Sequence, residues 1–318
     1  MIGKLPGLNN IEPMKRDVKE YYSRAEEYIK EEKYEEGIEL YKKLMETHPD
    51  NDSLVMSLAW AYQDSGKTHK AIKCLERLLE KELAGKIFTG FAFDELVRIY
   101  RDECHYEKLL SLCERVVALH PNDVSLLTTL GDACLRSGKT TRAIQVFEML
   151  TEMESDSPVH FCSLGNAHIA AGNIREGTQA YEKAALIDQE EASIFFDRLG
   201  HVLSHRGYFA EAENAVKRSI EINDREPTIH CSLGDILITQ GKVVAGMAFY
   251  DNAIELDPPS QGSYYNRLGN VLTENSYHHD ALGAYGKAVA AEPENPFYRM
   301  RLAESYKREG GDEQADNI

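Results

Sequence analysis

Two unrelated strings recur at the same spacing in this chain. The string HFCSLGNAH at 160–168 resembles IHCSLGDIL at 229–237, and DRLGHVL at 197–203 resembles NRLGNVL at 266–272. Both pairs are offset by 69 residues. Recurrence at one fixed offset indicates a repeated architecture, so the repeat has to be defined before any site is sought.

Alignment on the Leu-Gly pairs defines a repeat of 34 residues, with a few extra residues between some repeats. Positions are numbered from the first residue of each repeat. The predicted starts are Val18, Asp52, Gly90, Val124, Pro158, Ser193, Pro227 and Gly262, followed by a half-repeat from Pro296. The 69-residue offset is therefore two repeats plus one inserted residue.

Each repeat has the pattern of two helices. Apolar residues at positions four, seven, eight and eleven form one helical stripe, and a second stripe follows at positions twenty, 24 and 27. Glycine at position fifteen is typical of a residue that ends a helix in the left-handed conformation. These glycines are Gly66, Gly138, Gly172, Gly207, Gly241 and Gly310. Each repeat is predicted to be an antiparallel helix pair that must stack on its neighbours to bury its apolar face.

This pattern resembles the tetratricopeptide repeat family over roughly residues 18–310. The resemblance implies an all-α fold, a right-handed superhelical solenoid of about eight helix pairs with a C-terminal capping helix. It divides the chain into an N-terminal segment at 1–17, the solenoid at 18–310 and a disordered tail at 311–318.

One joint departs from the pattern. The stretch LAGKIFTGFAF at 83–93 adds four residues between the second and third repeats and lacks a closing proline. We expect the second helix there to be longer, and Ile87, Phe88 and Phe91 to need cover. A padded joint is the favoured interpretation, and a hinge or a partner-binding patch is the alternative.

Composition narrows the class of protein. Hydrophobic residues make up 42% of the chain, but no apolar run approaches the eighteen or so residues that span a bilayer. The first residues have no signal-peptide pattern, so a cytoplasmic protein without an integral membrane segment is expected. The six cysteines form no CxxC pair and are predicted to be reduced thiols. A net charge of −17 argues against nucleic-acid binding.

No catalytic or cofactor-binding constellation is present. SGKT occurs at 65–68 and 137–140, but the glycine that a phosphate-binding loop needs five residues earlier is replaced by Ala61 and Ala133. Asp197, His201 and His205 share one helical face and could contribute to a metal site, although polar groove residues are the commoner explanation. We therefore predict a protein that is not an enzyme and holds no cofactor or metal.

By resemblance, the first helices of the repeats line a concave groove through positions two, five, six, nine, twelve and thirteen. The predicted partner-binding residues are Trp60, Asn166, Arg198, His201, Asp235, Arg267, Asn270 and Arg301. Two interpretations of the arginines remain open: they pair with carboxylates of this chain, or they bind carboxylates of an acidic partner. The small Cys162 and Cys231 at position five would leave room for partner side chains.

The predicted function is a protein–protein interaction scaffold or adaptor that captures an extended peptide or a helix of a partner protein in this groove. A self-assembling structural scaffold is the first alternative. A metal-dependent or regulatory enzyme centred on His201 and His205 is the second.

Overall fold

The computed structural model describes residues 16–85 and 88–317. These residues contain eighteen α-helices, one 3-10 turn at Pro258–Ser260 and no β-strand. The first helices of the repeats are α1 (Arg16–Lys30), α3 (Asp52–Asp64), α5 (Phe91–Asp102), α7 (Val124–Arg136), α9 (Pro158–Ala170), α11 (Ala192–His205), α13 (Pro227–Thr239) and α15 (Gln261–Glu274). The second helices are α2 (Tyr34–Thr47), α4 (Thr68–Ala84), α6 (Tyr106–Leu119), α8 (Thr140–Met153), α10 (Ile174–Ile187), α12 (Phe209–Ile222), α14 (Val243–Leu256) and α16 (His278–Ala291). The predicted all-α repeat fold is confirmed.

The helices form two compact units. Unit 1 ends at Ser137 and contains α1 to α7, and unit 2 begins at Gly138 and contains the helices from α8 onward. Each first helix begins within two residues of the start that the repeat predicts. Local chemistry sets several of these starts: the Asp123 carboxylate accepts the Leu126 N–H at 3.0 Å, and Pro158 and Pro227 occupy the first turn of their helices.

Position fifteen has a left-handed backbone in every repeat, including those without glycine. The six predicted glycines have φ between 72° and 85°. In the three remaining repeats Glu32, Cys104 and Ser276 have φ of 60°, 55° and 68°. The packing of the helix pair, and not the residue type at position fifteen, therefore sets the conformation of the turn between the two helices. Glu32, Cys104 and Ser276 adopt a backbone conformation that is unfavourable for residues with a Cβ atom.

We expect the change Ser276→Gly to raise the free energy of unfolding by about 1 kcal/mol, because glycine removes the Cβ penalty of the left-handed region. The change Gly207→Ala, at the same position of another repeat with φ +82° and open space around it, should lower it by a similar amount. Urea unfolding of both variants measures this. An unchanged midpoint for both would show that the backbone at position fifteen is not strained.

Small residues at position eight let the two helices of a repeat approach closely. A Cβ atom added at Gly200 would lie 2.2 Å from Val216 Cγ2, and one added at Gly269 would lie 2.5 Å from Tyr285 Cε1. The space that a larger residue would fill is occupied by a side chain of the second helix. Position eight therefore sets the spacing of the helix pair.

The joint between the second and third repeats is held by specific contacts. Helix α4 has 17 residues where the other second helices have 14, which confirms the predicted longer helix. The Glu82 carboxylate is buried and accepts the Thr89 hydroxyl at 2.5 Å and the Gly90 N–H at 3.3 Å. The Phe88 ring stacks on His120 at 4.9 Å, while Phe91 stays 46% exposed. Ile87 lies outside the described residues, and the contacts of its neighbours favour the padded joint.

The C-terminal end differs from the prediction of a disordered tail at 311–318. After α17 (Pro296–Arg308), residues Asp312–Asp316 form a short helix, α18, and its Ala315 is buried. The turn before α18 has the same left-handed glycine, Gly310, as the complete repeats. The polar composition of the tail concealed this short helix, in which Ala315 is the one buried residue.

Candidate functional site

Three first helices of unit 2 line a cavity. A cavity of about 580 Å³ lies between α11, α13 and α15. It is lined by His201, Ser204, His205, Phe209, Asp235, Thr239, Arg267, Asn270, Val271, Glu274 and Asn275. Four of the eight predicted partner-binding residues, His201, Asp235, Arg267 and Asn270, therefore lie together on its wall.

Tyrosines of the second helices orient the residues at position nine. The hydroxyl of Tyr181 donates to Asn166 Oδ1 at 2.6 Å, and that of Tyr285 donates to Asn270 Oδ1 at 2.9 Å. Since each carboxamide oxygen accepts a hydrogen bond from its own repeat, the Nδ2 group is left as a donor for a partner. The tyrosines lie at position 24, so sequence reasoning assigned them to the core alone.

Asp235 accepts the equivalent bond from Tyr250 and also binds Arg267. The guanidinium of Arg267 contacts Asp235 Oδ2 through Nη2 at 2.7 Å and through Nε at 3.0 Å. Burial lowers the pKa of the Arg267 guanidinium, but the Asp235 carboxylate together with Tyr250 and Cys231 raises it, so that the pKa lies above the usual value. Both oxygens of Asp235 and the charge of Arg267 are thus satisfied within the chain.

The three predicted arginines are not equivalent. Arg301 binds Glu304 of its own helix at 3.4 Å, so it resembles Arg267 in having an internal carboxylate partner. Arg198 is exposed and forms no ion pair with a carboxylate of the described residues. It lies near Tyr181, whose pKa is raised by burial and lowered in part by the Arg198 charge. Internal carboxylates therefore account for Arg267 and Arg301, whereas Arg198 is hydrogen-bonded to Tyr181 and has no carboxylate partner among the described residues.

Asp197, His201 and Ser232 meet on the groove side of α11 and α13 without forming a catalytic triad. His201 Nε2 lies 3.0 Å from Ser232 Oγ and 3.6 Å from Asp197 Oδ2, so both groups approach the same ring nitrogen. The Ser232 hydroxyl donates to the Thr228 carbonyl at 3.0 Å and is 1% exposed. A nucleophilic serine needs an accessible hydroxyl that donates to the histidine, which this geometry does not provide.

The predicted groove residues are divided between the two units. Trp60 is partly buried on α3, in unit 1, whereas the other seven predicted residues belong to unit 2. The expectation that Cys162 and Cys231 line the groove is wrong, because both thiols are 0% exposed and pack in the core. Position five of α9 and α13 faces the neighbouring helices, where a small side chain packs closely. Within residues 16–85 and 88–317, no three His, Cys, Asp or Glu side chains are grouped to hold a metal ion.

Comparison with known proteins supports the repeat architecture. A family model described as tetratricopeptide repeat matches residues 28–84, and a second with that description matches residues 227–260. The chain contains tetratricopeptide repeats in these two stretches. The two matched stretches lie in unit 1 and unit 2, respectively.

The relatives of this chain are distant in sequence. The TPR repeat-containing protein YpiA of Bacillus subtilis is 21% identical over 79% of this chain and 58% of its own length. The TPR repeat-containing protein MJ1428 of Methanocaldococcus jannaschii is 19% identical over 95% of this chain and 55% of its own. The human protein O-mannosyl-transferase TMTC1 is 20% identical over 65% of this chain and 23% of its own. The chain thus spans less than two thirds of each relative.

In the part of the chain that the structure describes, no helix is both long and apolar enough to cross a membrane.

Proposed function

We propose that this protein is a non-catalytic interaction scaffold or adaptor whose unit 2 holds an extended segment of a partner protein along α9, α11, α13 and α15. The observation that carries the proposal is the cavity of about 580 Å³ between α11, α13 and α15, whose wall presents the position-nine residues His201, Asp235 and Asn270. An extended segment offers a backbone carbonyl and N–H at every residue, which regularly spaced carboxamides can bind.

Two kinds of contact are proposed for the partner. The Nδ2 groups of Asn166 and Asn270 donate to backbone carbonyls of the segment, because their oxygens are already bound by tyrosines. Arg198 binds a carboxylate of the partner, since it is exposed and has no internal carboxylate partner in the described residues. The proposal that the partner is acidic therefore rests on Arg198 and not on Arg267 or Arg301.

The test begins with affinity capture from the native cell, followed by identification of the bound segment as a synthetic peptide. Its affinity for the wild type, Arg198→Ala and the double variant Asn166→Ala/Asn270→Ala is then measured by calorimetry. Loss of the Arg198 contact should reduce binding by about 1.5–3 kcal/mol, the range for a hydrogen bond to a charged group.

Arg225→Ala is the matched control. Arg225 is exposed in the loop between α12 and α13, so this variant removes the same charge away from the first-helix groove. Unchanged affinity in both groove variants would contradict the proposed function. A partner that binds but weakens equally with Arg198→Ala and Arg225→Ala would remove Arg198 from the mechanism.

A further inference from the structure

The cavity between α11, α13 and α15 lies at the C-terminal ends of these three helices. His205 is the last residue of α11, Thr239 the last of α13 and Glu274 the last of α15, and all three line the cavity. The C-terminus of a helix carries a partial negative charge from its aligned peptide dipoles. The N-terminus of α12, at Phe209, also lines the cavity and carries the opposite partial charge. Three C-terminal ends against one N-terminal end leave a negative potential that favours a cation.

The side chains of the cavity do not compensate this potential. Arg267 is the cation of the wall, and Asp235 already neutralises it at 2.7 Å. Glu274 is exposed and forms no ion pair within the described residues. Next to His201, the Asp197 Oδ1 atom is buried without a hydrogen-bond donor. The unbalanced charge around the cavity is therefore negative.

The shape of the cavity suits a long side chain with a charged end. Phe209 and Val271 form an apolar part of the wall, whereas Asn270 and Glu274 form a polar part. Arginine and lysine bury an aliphatic stem against apolar surface and keep a charged head at polar groups. A carboxylate at this place would face Glu274 and the three helix C-termini, and the guanidinium of the wall, Arg267, already binds Asp235.

We propose that this cavity receives one basic side chain, arginine or lysine, from the segment that unit 2 binds. The inference rests on the proposed function and specifies the partner. Burial raises the pKa of the Asp197 carboxyl, and a cation in the adjacent cavity would offset part of that effect. Arg198 suits a carboxylate, whereas the cavity suits a cation. The bound segment therefore needs an acidic and a basic residue at separate places. Their order along the segment fixes the direction in which the segment lies along the helices.

The experiment uses the full chain and two mixtures of seven-residue peptides with blocked ends. The central residue is arginine in one mixture and citrulline, its uncharged analogue, in the other. In both mixtures one further position, varied among the peptides, is aspartate, and the remaining positions are randomised over uncharged residues. Calorimetry should show that the wild type binds the arginine mixture about tenfold more tightly, the effect of one charge-assisted hydrogen bond. Glu274→Gln should lose most of this preference.

Glu221→Gln is the control, because Glu221 is an exposed carboxylate on α12 that does not line the cavity, and the change in net charge is the same. The control should keep the tenfold preference. Equal affinity for the two mixtures would overturn the inference and leave the proposed function standing. If both variants lost the preference equally, the preference would come from general attraction by the acidic chain, and the inference would be overturned. If neither mixture bound, both the inference and the proposed function would be contradicted.

Discussion

The change Gly234→Leu is expected to lower the free energy of unfolding by at least about 1–3 kcal/mol, the usual range for overpacking a core. A Cβ atom at Gly234 would lie 2.9 Å from Tyr250 Cδ2 and 3.0 Å from the Gly246 carbonyl oxygen. Tyr250 cannot move aside without losing its bond to Asp235. Urea unfolding followed by circular dichroism measures the loss.

The same substitution at Gly283 is the matched control. Gly283 lies inside α16, is exposed, and has no atom within 4 Å of the place its Cβ would occupy. Because leucine favours a helix more than glycine, Gly283→Leu should raise the free energy of unfolding by about 0.5–1 kcal/mol. Equal shifts at Gly234 and Gly283 would show that position eight does not set the spacing of the helix pair.

The change Arg267→Ala is expected to destabilise the protein by about 1–3 kcal/mol, because it leaves the half-buried Asp235 carboxylate without its cation. Arg198→Ala should change the unfolding free energy by less than about 0.5 kcal/mol, since Arg198 is exposed and unpaired with a carboxylate of the described residues. Urea midpoints of the two variants compare these effects directly.

A double variant isolates the ion pair. Adding Asp235→Asn to Arg267→Ala removes the uncompensated charge and keeps an oxygen that accepts the Tyr250 hydroxyl, so part of the lost stability should return. Equal stability of Arg267→Ala and Arg198→Ala would contradict the internal role of Arg267. Its guanidinium would then be available to a partner, as the sequence alone had allowed.

The positions of the helices were predictable because they depend on local pattern. Apolar residues at helical spacing and glycine at position fifteen place each helix pair, and the observed starts agree within two residues. The extension of α4 was also predictable from the four additional residues after Leu83. Glu32, Cys104 and Ser276 gave no such signal, because nothing in their side chains favours the left-handed backbone that they adopt.

The candidate site was only partly predictable. Position nine identified Asn166, His201, Asp235 and Asn270, and the helical period placed these residues on one face. Their tyrosine partners carried a signal that pattern analysis missed. Tyrosine occupies position 24 in the repeats of Asn166, Asp235 and Asn270, whereas the repeats of Asp132 and His201 have Phe147 and Val216 there.

The sequence by itself determined the repeat, the helix pairs and the side of each first helix on which position nine lies, since these follow from the local helical pattern. Only the tertiary structure decided which charges are free. Arg267 meets a carboxylate 32 residues away in the preceding repeat, and Arg198 meets none among the described residues. It also brought the ends of α11, α13 and α15 to one cavity. Such contacts depend on how neighbouring repeats stack and on the side-chain rotamers at their interface, and the spacing of residues along one helix does not specify either.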